Sequence, residues 1–396
     1  MRAGMIFSRP MSRQKSSPAV DEMTTASILE YFAAIPDPRI DRRRLHPLTS
    51  ILVLSLIAVI CGADSFVAIE EFGTSKEAWL KTFLDLPNGI PSHDTLGRVF
   101  AILDPVALAE AFREWMRSVA GLTQGGVVAL DGKTLRRSFR ERGGGFIHMV
   151  SAWSSQNRVV LAQVKTEEKS NEITAIPRLL ELLQIKDCMV TIDAMGCQKE
   201  IAKKIVDGGA DYLLAVKENQ PTLSADIAAL FEEARQDPQL LASMDFHSTE
   251  EKGHGRKEIR RCWTTTLVDR ISQRAQWQSL RTLVLIESER TVGGKTTLEQ
   301  RRYICSRSSL SAKSAMADVR SHWGIENGLH WVLDVAFRED DCRIRAGHAG
   351  ENFAVMRHIA LNLLKAVKGT KVGIKNRRLR SGWDQAFLLR VLGALS

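Results

Sequence analysis

The spacing of apolar residues changes near residue 120, and this change divides the chain into two parts. Before it, the apolar positions recur at helical intervals, and the run 51–60 is apolar on every face, which is typical of a buried helix. Ser92 and Asp104 stand where the N-caps of two further helices are expected, the second followed by proline. We therefore predict that residues 26–120 form a helical N-terminal domain.

Two interpretations of the N-terminal helices fit this pattern. Short helices joined by tight turns, with Arg, Ser or Thr at their starts, are typical of helix-turn-helix DNA-binding domains. A helical cap that only packs on a catalytic core would have the same pattern. Residues 1–25 are basic and Ser-rich without an apolar period, so we predict a disordered tail there, with Met11 or Met23 as an alternative start and an organelle transit peptide as the alternative interpretation.

After residue 125 the pattern becomes that of strands alternating with helices. The segments VVALDGKTLRRS and CMVTIDAMGCQKEIAKKI each predict an apolar strand, ending at Asp131 and at Asp193, and the second leads directly into a helix. Between them we expect a hairpin with its turn at 155–157 and a helix broken near Pro177, and DYLLAV is one more short strand. This order predicts a mixed α/β sheet in which the two strands that bear aspartates can lie adjacent.

The rest of the chain divides into three predicted segments. Residues 222–311 begin with a helix and continue as strand-like runs, which predicts a β-rich insertion. Residues 121–221 and 312–366 then form the sheet core, and residues 367–396 form a basic C-terminal segment. Seven Lys or Arg and no acid occur between 365 and 380, a composition that suits either a track for phosphates or a solvated flexible tail.

The segment SHWGIENGLHWVLDVAFREDD, residues 321–341, combines a helical pattern with an unusual row of polar residues. His322, Glu326 and His330 recur every fourth residue, so a regular helix would present them on roughly one face. Taken alone, the row is consistent with a solvated surface, a zinc site, or one carboxylate of a larger site. The choice depends on whether other carboxylates in the chain are placed to meet Glu326.

Composition excludes several classes of protein. The 396 residues include 44% hydrophobic and 26% charged residues, which is ordinary for a globular protein of two or three domains. The six cysteines are scattered without a CxxC pair, which argues against a zinc ribbon or a disulfide framework and favours a reducing cytoplasm. The longest apolar run, 51–63, is too short for a membrane span. A net charge of +9 favours a polyanionic partner such as nucleic acid.

The two aspartates at the predicted strand ends have cationic neighbours. Lys133, Arg136 and Arg137 follow Asp131, and Asp193 has a similar basic stretch after it. An aspartate after a strand is usually a turn former, but carboxylates beside cations are also what a site that cleaves phosphodiesters requires. Mg²⁺ binds a few carboxylate oxygens together with water and substrate phosphate. Two such ions about 4 Å apart can activate the attacking oxygen and stabilise the leaving one.

Five motifs in collinear order resemble the DDE transposases of bacterial insertion sequences, in the ISAs-type branch that includes the H-repeat-associated proteins. The motifs are LDGKTLRRS, TIDAMGCQKEIA, YLLAVKENQP, HGRKEIRR and HWGIENGLHWVLDVAFRED, and the resemblance extends from about residue 28 to the C-terminus. It implies a ribonuclease-H-like mixed α/β core with a β-rich insertion, preceded by the helical domain. It also implies that Asp131, Asp193 and Glu326 are the catalytic acids and bind Mg²⁺ or Mn²⁺.

The activity implied by the resemblance is DNA transposition. Activated water would nick the ends of the element, and the freed 3′-hydroxyl would then attack target DNA without a covalent enzyme–DNA intermediate. The implied partners are double-stranded DNA, as inverted repeats and as target, and a second copy of the chain, since two ends must be brought together. Two alternatives stay open: an inactive transposase-derived DNA-binding protein, and a metal-dependent nuclease without strand transfer.

The resemblance also bears on residues that contact DNA. The superfamily has Tyr, Arg and Lys at fixed spacing around the glutamate, and this chain has Val319, His322 and Leu333 there, so His322 occupies the position of the Arg. The motif HGRKEIRR either grips DNA or is an exposed strand pair with ordinary charges. The residues predicted to contact DNA are Lys133, Arg136, Arg137, Lys199, Lys217, His254, Arg256, Arg260, His322, Asn327, His330 and Arg343.

Overall fold

The computed structural model describes residues 30–118, 126–135, 146–166, 172–253 and 255–394. The tail predicted for residues 1–25 therefore lies outside the described residues. Across the described ranges, no helix has the length and apolar character needed to cross a bilayer.

The N-terminal part of the described chain is helical. Ser92 accepts a hydrogen bond from the amide of Thr95, and Asp104 accepts one from the amide of Val106, so both residues cap helices as predicted. The first helix is buried on all sides because it lies inside the bundle formed by the others. The helices are α1 (Leu48–Ile60), α2 (Phe66–Leu80), α3 (His93–Ile102) and α4 (Pro105–Ser118).

A nine-stranded sheet, in the spatial order β3-β2-β1-β4-β5-β9-β8-β7-β6, runs through the rest of the molecule. The first five strands in chain order are β1 (Val127–Leu135), β2 (Ile147–Ser154), β3 (Val159–Lys165), β4 (Met189–Ile192) and β5 (Asp211–Val216). The last four are β6 (Asp245–Gly253), β7 (Arg256–Thr265), β8 (Thr282–Val292) and β9 (Lys295–Cys305).

The direction of the strands confirms the expected fold class. β1, β2 and β3 are antiparallel neighbours, whereas β1, β4 and β5 are parallel. This is a mixed, ribonuclease-H-like sheet preceded by helices. The inserted strands continue it without a break, because β9 pairs with β5 in the antiparallel direction.

Helices cover both faces of the sheet. On one face lie α5 (Glu172–Glu181), α6 (Lys199–Asp207) and α7 (Pro221–Gln236), which share a hydrophobic core with β1, β4 and β5. The other face is packed by α9 (Ala312–Ile325), and the short helix α8 (Pro238–Ala242) precedes β6. Beyond α9 the chain forms α10 (Trp331–Phe337), α11 (Ala349–Ala366), α12 (Ile374–Trp383) and α13 (Gln385–Leu392).

Two local predictions were wrong, and one strand was not predicted. β1 does not end at Asp131 but continues to Leu135, because its pairing with β2 continues over those residues. The helix α5 is not broken at Pro177, although this residue is the sixth of its ten, because the apolar side chains on both sides of the proline are buried in the core beside the sheet. The strand β6 was not anticipated, because its side chains are mostly polar and exposed.

Helix α11 connects the N-terminal helices to the sheet. Its Asn352 is fully buried and donates hydrogen bonds to the carbonyls of Phe100 and Leu103. Its Asn362, also fully buried, pairs with both the amide and the carbonyl of Val160 on the edge strand β3. The N-terminal helices thus share one core with α11, β2 and β3, and a DNA-reading role for them stays a prediction.

The basic C-terminal segment folds as two helices, and several of its cations are used inside the protein. Lys365 donates to the carbonyl of Gly328, and the guanidinium of Arg377 donates to four main-chain carbonyls. Arg378 is only 4% exposed. The prediction of a free basic tail or continuous phosphate track is therefore wrong for these three residues, whose donors are already occupied.

Candidate active site

The order of strands places the two predicted aspartates side by side. β1 and β4 are adjacent and parallel, with Leu130 opposite Ile192, so Asp131 and Asp193 follow paired positions. The Asp131 carboxylate accepts a hydrogen bond from the amide of Gly132 at 2.9 Å. That of Asp193 accepts bonds from the two amides of the turn after β4, at 3.1 and 3.4 Å. Both carboxylates are thus held at the same edge of the sheet.

Helix α9 brings Glu326 to this edge from the opposite face. The Oγ of Ser155, in the hairpin turn between β2 and β3, donates to the carbonyl of Ser321 at 3.0 Å. The Nδ1 of His322 lies 3.1 Å from the Oγ1 of Thr191 on β4. These two contacts fix the end of α9 against the sheet, one turn before the glutamate.

The chain makes a π-helical turn over Glu326–His330, between α9 and α10. Such turns are rare and usually occur at functional sites. The Nζ of Lys365 donates to the carbonyl of Gly328 within the turn and lies 4.0 Å from the centre of the Trp153 ring. A Cβ on Gly328 would lie 2.9 Å from that ring, so only glycine allows the turn to pack this closely. The expected regular helix is therefore widened at the glutamate.

Replacement of Gly328 by Ala is expected to lower the free energy of unfolding by about 1–3 kcal/mol, because Trp153 is buried and cannot yield space freely. Gly324→Ala is the matched control, one turn earlier at the end of α9, since its Cβ would meet Trp153 at 3.7 Å, an ordinary contact. That control should leave stability unchanged or raise it by up to about 1 kcal/mol. Urea unfolding measures both, and equal stabilities of the two variants would contradict the close packing of the turn.

Three side chains form a compact group of potential metal ligands. Donor atoms of Asp131, Glu326 and His330 all lie within 4.8 Å of one another. The Nδ1 of His330 is 3.4 Å from the Asp131 carboxylate and 3.3 Å from that of Glu326. His330 is buried and contacts two of the acids, and its contact with DNA stays a prediction. The zinc row considered above does not form, because His322 is turned toward Thr191.

Burial and nearby negative charges raise the pKa values of the two aspartates. The pKa of Asp131 is raised to about 7, first by burial and then by the charges of Glu172, Asp193 and Glu326. The pKa of Asp193 is raised by burial and by Glu172, while Lys217 acts in the opposite direction. Like charges at such close range require a compensating cation. The carboxylate-rich donor set therefore fits a hard divalent ion such as Mg²⁺.

The raised pKa of Asp131 predicts how metal-free protein responds to pH. A carboxyl whose pKa is higher in the folded state favours folding when protonated, so stability is lost as pH rises from about 4 to about 7. The loss is at most about 4 kcal/mol, and excess Mg²⁺ should restore it. Thermal unfolding in EDTA at pH 5 and 8 measures the effect. Asp131→Asn is the control and should lack this part of the pH dependence; the same pH dependence in both proteins would contradict it.

The acids line a cavity of about 180 Å³ that also contains cationic and neutral polar groups. Lys217, at the end of β5, and Arg301, on β9, contribute the cations. Burial lowers the pKa of His322 to about 4, so its imidazole is neutral near pH 7. His322 therefore lines the cavity as an uncharged group. A negatively charged ligand beside the acids would therefore meet Lys217 and Arg301.

A second groove, of about 560 Å³, lies between α9 and the inserted strands. It is lined by Arg260 and Asn327, two of the residues predicted to contact DNA, and by Arg301 and Trp323. The guanidinium of Arg301 stacks 4.6 Å from the centre of the Trp323 ring, and Trp323 is 45% exposed. Arg301 and Trp323 line both the groove and the acid cavity, so the two lie side by side.

Other predicted DNA contacts lie elsewhere. The ammonium of Lys133 is bound by Asp334 and Glu339 and its side chain is 11% exposed, so the structure corrects its assignment as a phosphate contact. Lys199 donates to Gln276 near the end of the sheet. Arg256 is exposed at the start of β7, and Arg343 lines a separate cavity beside the N-terminal helices. Arg136, Arg137 and His254 lie outside the described residues.

Sequence reasoning missed three residues near the acids: Arg301, Glu172 and His148. Arg301 lies among ordinary charges in a strand-like run, and nothing in its local pattern distinguishes it. The pair formed by Glu172 and His148, with Oε1 and Nε2 2.9 Å apart, joins two elements that are distant in the chain. An acidic residue in the first turn of a helix is common because it interacts favourably with the helix dipole, so nothing in the sequence distinguished Glu172.

Two family models match the chain. Residues 29–116 match "DDE_Tnp_1-associated", and residues 123–363 match "Transposase DDE domain".

Similar full-length proteins occur in Escherichia coli. "Putative transposase YncI" of strain O157:H7 is 44% identical over 381 residues, covering 94% of this chain and 96% of that protein. "H repeat-associated putative transposase YhhI" of strain K12 is 40% identical over 376 residues, covering 93% and 98%. Among solved structures, the piggyBac transposase synaptic complex with hairpin DNA aligns with 92% of this chain and 77% of its own, at 9% identity and a TM-score of 0.39.

Proposed function

The chain belongs to the DDE transposase family, and we propose that it is an active transposase that cuts and joins DNA at the ends of an insertion sequence. The observation that carries the proposal is the meeting of Asp131, Asp193 and Glu326 at one cavity although they are far apart in sequence. Each comes from a different element: two adjacent parallel strands and a helix that crosses to their edge.

In the proposed reaction, Asp131, Asp193 and Glu326 would hold Mg²⁺ or Mn²⁺. When bound, the ions would activate the attacking oxygen and stabilise the leaving one. Lys217 and Arg301 line the same cavity and would bind the scissile phosphate or its neighbours. Sequential use of the same acids, with water and then the 3′-hydroxyl as nucleophile, would accomplish cleavage and strand transfer.

Two histidines would support this chemistry without carrying it. His330 contacts both Asp131 and Glu326 and is buried, so it orients these acids. His322 occupies the position of the superfamily Arg, but its lowered pKa means that it would contact phosphate as a neutral hydrogen-bonding group. The groove lined by Arg260, Trp323 and Asn327 would carry double-stranded DNA to the acids.

A second function, an inactive DNA-binding relative, has a specific observation in its favour. "Inactive transposase YbfQ" of Escherichia coli K12 is 40% identical over 77 residues, which cover 19% of this chain. The three acids are all present here, and this favours activity. A third possible function, a nuclease that cleaves DNA without joining strands, would use the same three acids.

A plasmid assay separates these functions. A donor plasmid that carries the candidate element ends is incubated with protein, target plasmid and Mg²⁺, and nicked, linear and joined products are resolved by electrophoresis. We expect both cleavage and joining, dependent on the metal. Binding without cleavage would support the inactive protein, and cleavage without joining would support the nuclease. Inverted repeats flanking the gene, bounded by duplicated host sequence, would identify the ends to use.

We also propose that the chain acts as a homodimer on DNA, because two element ends must be joined in one event. The mass of the complex with end DNA, measured by light scattering, tests this. One protein copy per two ends would overturn it.

A further inference from the structure

Lys133 connects the strand that carries Asp131 to the π-helical turn that carries Glu326. Side chains two positions apart on a strand point to the same face, so Lys133 extends from β1 on the face of Asp131. Its Nζ donates to the main-chain carbonyl of His330, the last residue of the turn, at 3.4 Å. The same ammonium donates to the carboxylate of Asp334, four residues further along in α10. One side chain thus joins β1 to the junction between the π-helical turn and α10.

A buried carboxylate holds the ammonium of Lys133 in this position. Glu339 lies just after α10, is 2% exposed, and has its Oε2 3.2 Å from the Nζ of Lys133. Its Oε1 lies 3.6 Å from the Nη1 of Arg357 on α11, which is also buried. Burial by itself raises the pKa of the Glu339 carboxyl, but Lys133 and Arg357 outweigh burial and lower the pKa, so the group is charged. Together with Asp334, the group contains two cations and two carboxylates, and its charges balance.

A second lysine donates to the same turn. The Nζ of Lys365, on α11, donates to the carbonyl of Gly328, two residues before His330. Two carbonyls of the π-helical turn thus accept ammonium donors, one from β1 and one from α11. The Nδ1 of His330 lies 3.3 Å from the Glu326 carboxylate and 3.4 Å from that of Asp131. A shift of the turn relative to β1 would therefore change the distance between these two acids.

We propose that Lys133, held by Asp334 and Glu339, is a positioning residue that fixes the turn bearing Glu326 relative to Asp131. The inference rests on the proposed function, because the acids that it positions are those of the proposed metal site. In this role Lys133 acts through a main-chain carbonyl and contacts no reacting atom. A displacement of about 1 Å between reacting groups can lower a rate about a hundred-fold, so the connection from β1 to the turn would affect both metal binding and catalysis.

Lys133 can be removed without leaving an unpaired buried charge. Asp334→Asn is the background, and Lys133→Met is added to it, so that Glu339 and Arg357 remain as a balanced pair. The purified full-length proteins are titrated with Mn²⁺, and free Mn²⁺ is measured by electron paramagnetic resonance. Loss of a cation near the acids would, by charge alone, make Mn²⁺ bind more tightly. We expect the opposite, about 10-fold weaker binding by the double variant than by Asp334→Asn, because the turn is no longer fixed to β1.

Cleavage and folding are measured on the same proteins. At saturating DNA, the plasmid cleavage rate of the double variant should be about 10–100-fold below that of Asp334→Asn, with affinity for DNA within about two-fold. The thermal unfolding midpoint without metal shows whether the double variant is folded. Lys81→Met combined with Glu77→Gln is the matched control, because this ion pair of 2.7 Å joins two exposed side chains at the end of α2. The control should bind Mn²⁺ and cleave as wild type does.

Asp193→Asn separates failure of the inference from failure of the proposed function. If Asp193→Asn weakens Mn²⁺ binding while the double variant binds at least as tightly as Asp334→Asn, the inference is overturned. If Asp193→Asn binds Mn²⁺ as wild type does, the proposed metal site itself is wrong. Should the double variant not fold, Glu339→Asp decides, because it keeps every charge and only shortens the side chain that holds Lys133. It should weaken Mn²⁺ binding about three-fold or more, and wild-type binding would overturn the inference.

Discussion

Glu326→Gln is expected to reduce metal-dependent DNA cleavage and joining by about a thousand-fold or more, while leaving DNA affinity within about two-fold of wild type. Glutamine has the length of glutamate and can still accept a hydrogen bond, so the contact with His330 is kept. It has no negative charge, however, and cannot neutralise a divalent ion held together with Asp131. The loss should therefore appear in catalysis and not in folding or DNA binding.

The plasmid assay described above measures cleavage and joining, and a gel-shift titration with end DNA measures affinity. Glu232→Gln is a suitable control because Glu232 is an exposed residue of α7, 61% accessible and paired with Arg235. It should cleave and join at the wild-type rate. Cleavage by Glu326→Gln at the rate of the control would mean that Glu326 is not a catalytic acid.

Arg378→Met is expected to lower the free energy of unfolding by about 3–5 kcal/mol, the usual cost of breaking a buried ion pair by removing one partner. Arg378 donates to the carbonyl of Val59 at 2.8 and 3.0 Å and to the carboxylate of Asp64 at 2.8 Å. Its guanidinium also lies 4.2 Å from the centre of the Phe337 ring. Methionine fills a similar volume but removes the guanidinium donors to Val59 and the cation paired with the Asp64 carboxylate.

Arg380→Met provides the matched comparison, since Arg380 lies on the same helix but its side chain is 48% exposed. This variant should change stability by less than about 0.5 kcal/mol. Urea unfolding of both proteins tests the difference. If Arg380→Met were the less stable of the two, the buried contacts of Arg378 would not be what attaches the C-terminal helices.

The pattern of cations in a sequence does not show which of them are exposed. The run of cations at 365–380 looks uniform along the chain, yet Lys365, Arg377 and Arg378 are used internally. Lys133 is another case, because its partners Asp334 and Glu339 are about two hundred positions away. Whether a cation faces solvent or a buried acid depends on contacts between distant segments, and local composition does not contain that information.

The sequence by itself was sufficient to predict the mixed sheet, in which the strands that bear Asp131 and Asp193 could be adjacent, and the helix that carries Glu326. Apolar strands alternate with helices in an order that allows few topologies, and residues that follow paired strand positions must be neighbours. The five motifs also identified the family. These features are local or topological, so they can be read from short segments.

Only the tertiary structure decided how the site is completed. The widened turn at Glu326 depends on Trp153 and Lys365, which pack against Gly328. The spacing of His322, Glu326 and His330 is the same for a regular helix, so the sequence does not distinguish the two conformations. The contact between Glu172 and His148 depends on the missing side chain of Gly132, whose Cβ would overlap both of them. In each case the deciding contact joins residues far apart in the chain, and it exists only after the core has packed.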